Sequence, residues 1–225
     1  ASCNFTVQVI DYPDTAKVLT DVLYLCDTFA TDIHAQAIQS GSGIWTVLTG
    51  AAVITNATNT TANVQGLGYG TNEFIWTVST ASCGSVSDTM KVIVNLPPPT
   101  AMLQDTMYAC AANNYLIQGN SPGGGQGTWS SSSSITFNNI HAPITSVLSV
   151  PDGFHTLYWT ISMNGCPDSK DSSILYAPPV AKVFTNDTTL CLNDLPFELK
   201  GKAAGMGQAM YWIPLEGTAT LSNKY

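Results

Sequence analysis

The sequence predicts an all-β protein built from tandem antiparallel two-sheet sandwiches of about 83 residues each. Three observations predict it. Tryptophans and cysteines recur at one period. The runs between them alternate apolar and polar with period two. Glycine, asparagine and proline clusters punctuate those runs.

The period is read from four landmarks. Trp45, Trp129 and Trp212 are 84 and 83 residues apart, and Trp76 and Trp159 are 83 apart. Cys26, Cys110 and Cys191 are separated by 84 and 81, and Cys3, Cys83 and Cys166 by 80 and 83. The flanking text repeats with them. Phe74-Ile75-Trp76-Thr77-Val78 aligns with Leu157-Tyr158-Trp159-Thr160-Ile161, and Gly43-Ile44-Trp45 with Gly127-Thr128-Trp129. Leu96-Pro97-Pro98-Pro99 and Ala177-Pro178-Pro179 mark joints of semi-rigid polyproline character. Four pieces follow: residues 1–12 as the final strand of a preceding repeat, 13–97 and 98–179 as complete repeats, and 180–225 as the first half of another. The chain therefore reads as a window on a longer protein, with any leader upstream of Ala1.

Within a repeat, Phe74, Trp76 and Val78 share one strand face, and Leu157, Trp159 and Ile161 do the same. Lys91-Val92-Ile93-Val94 reads as the closing strand, after a turn-rich Gly84-Ser85-Val86-Ser87. About seven short strands per repeat fit an immunoglobulin-like sandwich. Trp45, Trp76, Trp129, Trp159 and Trp212 are the expected core, one on the third strand and one on the sixth, facing each other across the two sheets.

Composition narrows the function. Only 10% of residues are charged, against about 25% in an average domain. Apolar residues make up 44%, enough for real cores. The net charge is −8 with seven Lys plus Arg, too few cations for a phosphate-neutralising face. Nucleic acid is excluded as a partner on that ground. No apolar run approaches the roughly 18 residues of a membrane helix, so the chain is not membrane-embedded.

The six cysteines form no C-x-x-C pair, and three histidines are too few for a zinc site. Disulfides and an extracellular, cell-surface location are expected instead. Two pairings stand. Within repeats, Cys26 would bond Cys83 and Cys110 would bond Cys166. Across a joint, Cys26 would bond Cys166, with Cys83, Cys110, Cys3 and Cys191 finding partners outside the window. The second pairing would lock neighbours into a rod. It meets an objection to the first, that the turn before the second strand and the loop after the sixth lie at opposite ends of such a sandwich.

No catalytic or metal constellation emerges, and no cofactor is expected. His34, His141 and His155 fall at unrelated repeat positions and read as surface or strand residues. Ser130 to Ser134 lacks a nucleophile elbow and reads as a loop. Gly123-Gly124-Gly125-Gln126-Gly127 lacks the Gly-Lys-Ser/Thr ending of a phosphate loop. Asp152-Gly153 has no carboxylate ladder for calcium.

Leu190-Cys191 before a strand, Gly-x-Trp on the next, aromatic-x-Trp-Thr on a later one and then Asn164-Gly165-Cys166 carry a resemblance. The chain resembles the PKD-like and immunoglobulin-like repeats of large Bacteroidota surface proteins, the gliding-motility adhesins and other type IX secretion cargo. Cys3-Asn4-Phe5-Thr6-Val7 also looks like the closing strand of hyalin-type repeats. The resemblance implies a stalk or filament segment of a cell-surface adhesin, not an enzyme. It would act as a rigid spacer whose partners are neighbouring repeats, surface polysaccharide or other cell-surface proteins. A spacer or carbohydrate-binding module of a secreted multidomain hydrolase is the alternative. The resemblance also implies O-glycans at Asp-Thr followed by a small or aliphatic residue, hence on Thr15, Thr89 and Thr106, and on Thr188, whose following Thr189 fits the pattern only loosely. The plainer reading of Asp-Thr is a turn or strand-edge pair.

Overall fold

A computed structural model describes residues 11–109, 114–178, 197–202 and 212–213. The chain divides into two compact units. One runs up to Pro99 and takes in Pro122–Gln126 and Ile161–Ser169; the other takes in Thr100–Ser121, Gly127–Thr160 and the chain from Lys170 on. Every regular element among the described residues is a strand.

Up to Pro99 there are seven strands: β1 (Val22–Cys26), β2 (Ala30–His34), β3 (Ser42–Thr49), β4 (Val53–Thr55), β5 (Thr61–Gln65), β6 (Gly70–Thr80) and β7 (Gly84–Asn95). They form a four-stranded sheet in the order β1-β7-β6-β3 and a three-stranded sheet in the order β2-β5-β4. Period-two patterning sets the inner faces. Asn72, Phe74, Trp76 and Val78 are buried along β6, and Met90, Val92 and Val94 along β7. Ile33, Ala62 and Val64 meet them from the smaller sheet.

The chain enters on one sheet and leaves for the other. Val18 bridges Ala35 beside β2, whereas Val22–Cys26 pairs in parallel with Lys91–Asn95 of β7. The crossing leaves the Val18 amide without a ladder partner. Asp88 on β7 supplies one: its Oδ2 accepts the Val18 N–H at 2.8 Å.

Beyond Pro99 the same plan recurs. The strands are β8 (Thr106–Tyr108), β9 (Tyr115–Gln118), β10 (Gln126–Ser131), β11 (Thr136–Phe137), β12 (Ile144–Ser149), β13 (Gly153–Ser162) and β14 (Ser169–Ala177). Their sheets are β10-β13-β14-β8 and β11-β12-β9, strand for strand the order of the first set. β8 is again parallel to β14. The Leu103 amide again donates to a carboxylate, Asp171 Oδ2, at 2.7 Å.

Three expectations need correction. The closing strand begins at Gly84, not at Lys91, because β6 and β7 pair without a break from Gly70↔Val94 to Thr80↔Gly84. The tryptophans of a repeat do not face each other across the sandwich. The third and sixth strands are neighbours in one sheet, and Trp45 pairs directly with Trp76 in the β3–β6 register. Ser130 and Ser131 belong to strand β10, so only the rest of that serine run is a turn.

Candidate functional site

The two tryptophan pairs are the largest buried features. Trp45 and Trp76 are 1% and 0% exposed, with ring centroids 5.2 Å apart and planes tilted 45°. Trp129 and Trp159 are 2% and 0% exposed, at 4.8 Å and 41°. Burying 150–250 Å² per ring at about 25 cal/mol/Å² is worth roughly 4–6 kcal/mol each. Rings this enclosed offer no face for a sugar to stack on. Trp212 is half-buried and lies in no strand.

The glycine of Gly-x-Trp has a specific cause. A Cβ on Gly43 would sit 2.0 Å from Cζ2 of Trp76, and one on Gly127 would sit 2.1 Å from Cη2 of Trp159. Each sixth-strand ring therefore packs directly against the backbone of the third strand, two residues before that strand's own tryptophan.

Cysteine chemistry is settled at one place. Cys26 and Cys166 are bonded, with an S–S distance of 2.04 Å and Cα atoms 4.8 Å apart. The bond excludes the Cys26–Cys83 and Cys110–Cys166 pairings. The reason is strand direction. Cys26 pairs with Asn95 at the end of β7, while Cys83 precedes Gly84 at its start. Eleven residue steps of strand span roughly 36 Å, far beyond the ~7 Å a disulfide tolerates. The turn that holds Cys166 is fitted to its place. The Cys166 N–H donates to Met163 O at 2.9 Å, and Asn95 Nδ2 donates to Asn164 O at 2.8 Å. Gly165 has φ +79°, and a Cβ there would come within 2.7 Å of the Tyr24 backbone. Cys83 is half-buried and donates its N–H to Thr80 Oγ1 at 3.2 Å. Cys3, Cys110 and Cys191 lie outside the described residues.

Of the four expected glycan positions, Thr15, Thr89 and Thr106 are exposed, and each is followed by a buried residue: Ala16, Met90 or Met107. On β7 and β8 strand alternation alone produces that pattern, hydroxyl outward and apolar residue inward, whereas Thr15 and Ala16 lie outside any strand. The aspartates before them have structural work as well. Asp14 accepts the N–H groups of Gln39 and Ser40, and these two bonds hold its carboxyl below the usual carboxylate range. Asp88 holds Val18, as described above. Thr188 lies outside the described residues.

The histidines are dispersed. His34 and His141 bond locally, to Thr61 Oγ1 at 3.1 Å and to Gly127 O at 3.0 Å. His155 is buried on β13 with both nitrogens bonded: Nε2 donates to Pro151 O at 2.7 Å and Nδ1 meets Ser133 Oγ at 2.7 Å. It occupies the position of Asn72 on β6, whose Nδ2 donates to Gly68 O at 2.8 Å. Asp152 forms an ion pair with Lys202, not a carboxylate cluster. Among the described residues, no three His, Cys, Asp or Glu side chains converge as metal ligands. An open cleft of about 470 Å³ beside β9 is lined by Met102, Leu103, Met107 and Tyr115–Asn120, with no charged residue among them.

Sequence reasoning missed the carboxylates of Asp88 and Asp171. Their signal was present, since Asp88-Thr89 and Asp171-Ser172 are one period apart. Each also caps the amide that follows it, Thr89 at 2.9 Å and Ser172 at 2.8 Å.

These features define a class: a tandem of immunoglobulin-like β-sandwiches. A solved structure at a TM-score above 0.5 agrees on the fold. Murine CEACAM1b is 12% identical over 72% of this chain and 98% of its own, with a TM-score of 0.51. The fibronectin(III)-like modules of Clostridium thermocellum CbhA are 13% identical over 72% and 94%, TM-score 0.46. An E-to-A variant of titin domains I67–I69 is 14% identical over 92% and 86%, TM-score 0.41. No family model and no curated protein sequence matches the chain.

Proposed function

We propose that this segment is a non-catalytic spacer in the stalk of an extracellular, cell-surface adhesin, holding a binding region away from its anchor. The observation that carries the reading is the pair of like sandwiches joined by the Cys26–Cys166 bond. Secretion into an oxidising space suits that bond. The residue chemistry supports a structural role, because the large aromatics and the buried polar groups serve packing and loop closure. The Bacteroidota surface repeats that the sequence resembles supply the finer reading, including type IX export and glycans on Thr15, Thr89 and Thr106.

A graft tests the spacer role. The repeats are replaced in the full protein by unrelated sandwich domains of equal number, and adhesion is measured. Retained adhesion is expected; its loss would show that these repeats bind the target themselves. Intact mass of native material tests the glycans, for which a mass above that of the bare chain is expected. The unmodified mass alone would remove them.

A further inference from the structure

We infer that the Cys26–Cys166 bridge is a length limiter, carrying end-to-end tension past nearly all of both sandwiches. The inference goes beyond the spacer reading and does not depend on it, because it rests on the covalent path of the chain.

The two cysteines are 140 residues apart in sequence and directly bonded. Tension applied at the chain ends enters through the residues before Cys26, which include β1. At Cys26 it has two routes. One is the polypeptide from residue 27 to residue 165; the other is a single S–S bond. The bond is the shorter path, so it becomes taut first, and the 27–165 loop stays slack. Tension leaves along β14. Strands β2 to β13 all lie inside the slack loop. Both buried tryptophan pairs lie inside it too, as do the Gly43 and Gly127 contacts that seat them. Force alone therefore cannot draw these strands out to full length while the bridge is intact.

Cys26 is the last residue of β1, and Cys166 lies in the turn before β14. A bond within one repeat, Cys26 to Cys83, would span a sequence separation of only 57. The bond observed encloses most of two repeats.

The length at stake is large. Fully extended chain spans about 3.3–3.6 Å per residue, so the bridge withholds roughly 480 Å. Reduction releases it. A small dithiol attacks one bridge sulfur as thiolate, its second thiol completes the exchange, and two electrons pass to the protein. Two cysteine thiols and a cyclic disulfide of the reagent result.

Single-molecule pulling of the whole 225-residue chain, held by handles at its two ends, tests the inference. Without reductant the chain should stop roughly 480 Å short of the length it reaches after dithiothreitol is added to the same molecule. Equal final lengths before and after reduction would overturn it. A gain of only about 200 Å would overturn it too, since that is the length a Cys26–Cys83 bond would withhold. A peptide mass map of the unreduced protein gives an independent reading without force. A linked pair carrying Cys26 and Cys166 is expected, and Cys26 linked to Cys83 would refute the bypass. A missing Cys26–Cys166 link would also remove the bond cited for the spacer reading, whereas lost adhesion in the graft experiment would leave the bypass untouched, so the two failures are told apart.

Discussion

The two sandwiches share a strand order and a buried indole pair, yet they treat the indole N–H groups differently. In the second, Trp129 Nε1 donates to Ala142 O at 2.9 Å and Trp159 Nε1 to Asn120 O at 3.2 Å. In the first, the Nε1 atoms of Trp45 and Trp76 are buried with no hydrogen-bond partner. The difference teaches that the ring, with its area and shape, is what both repeats require. The polar handle is satisfied in one and left over in the other. A buried donor without a partner costs about 1–3 kcal/mol, and the first repeat tolerates two.

The largest test of that comparison removes a ring altogether. Trp76→Ala and Trp159→Ala should each cost about 3–5 kcal/mol, read by urea titration followed by circular dichroism. A cost below ~1 kcal/mol in either repeat would show that its pair is not a core element. Next come the glycines beneath the rings. Gly43→Ala and Gly127→Ala each force a methyl into an indole and should cost about 1–3 kcal/mol alike. A harmless change in one repeat would break the equivalence. Finer still is Trp→Phe, which trims the ring alike in both repeats and takes the N–H with it. Trp159→Phe loses a hydrogen bond that Trp76→Phe does not, so it should be the more costly by about 1 kcal/mol. Equal costs would mean that the bond to Asn120 contributes nothing.

The smallest difference concerns acid. The segment entering the first sandwich is tied by the Asp14 carboxylate to the amides of Gln39 and Ser40. The segment entering the second is tied by a neutral amide: Met102 N–H donates to Asn120 Oδ1 at 2.9 Å, and Asn120 Nδ2 donates to Thr100 O at 2.9 Å. Asp14 is depressed below its ordinary value of 3.8. Its contribution is therefore present above that value and is lost as pH falls through the lower folded-state value. Amide protection factors at Gln39 and Ser40 should drop in that acid window while that at Met102 holds. Parallel loss at all three would point to general unfolding instead.

Much of the fold was legible because period two and an 83-residue period are both written in side-chain type. The inward face of β6 could be read from Phe74, Trp76 and Val78 directly. Its neighbour could not, since alternation says which face is buried and not which strand lies alongside. That is why Trp45 was expected opposite Trp76 and proved to be beside it. The partner of Cys26 was open for a related reason. Choosing between Cys83 and Cys166 requires the direction and length of β7, which begins seven residues earlier than Lys91-Val92-Ile93-Val94 suggests. Asp88 was hidden differently. Its acceptor role reaches the amide of Val18, 70 residues away in sequence, and nothing local announces it.

The contact between a third-strand glycine and a sixth-strand tryptophan also bears on how such repeats can change by descent. Any larger residue at Gly43 collides with Trp76, and any smaller residue at Trp76 leaves a hole above Gly43. Neither position can drift alone. In a chain that grows by copying repeats, the two letters would be inherited as one character, while the surface around them is free to diverge.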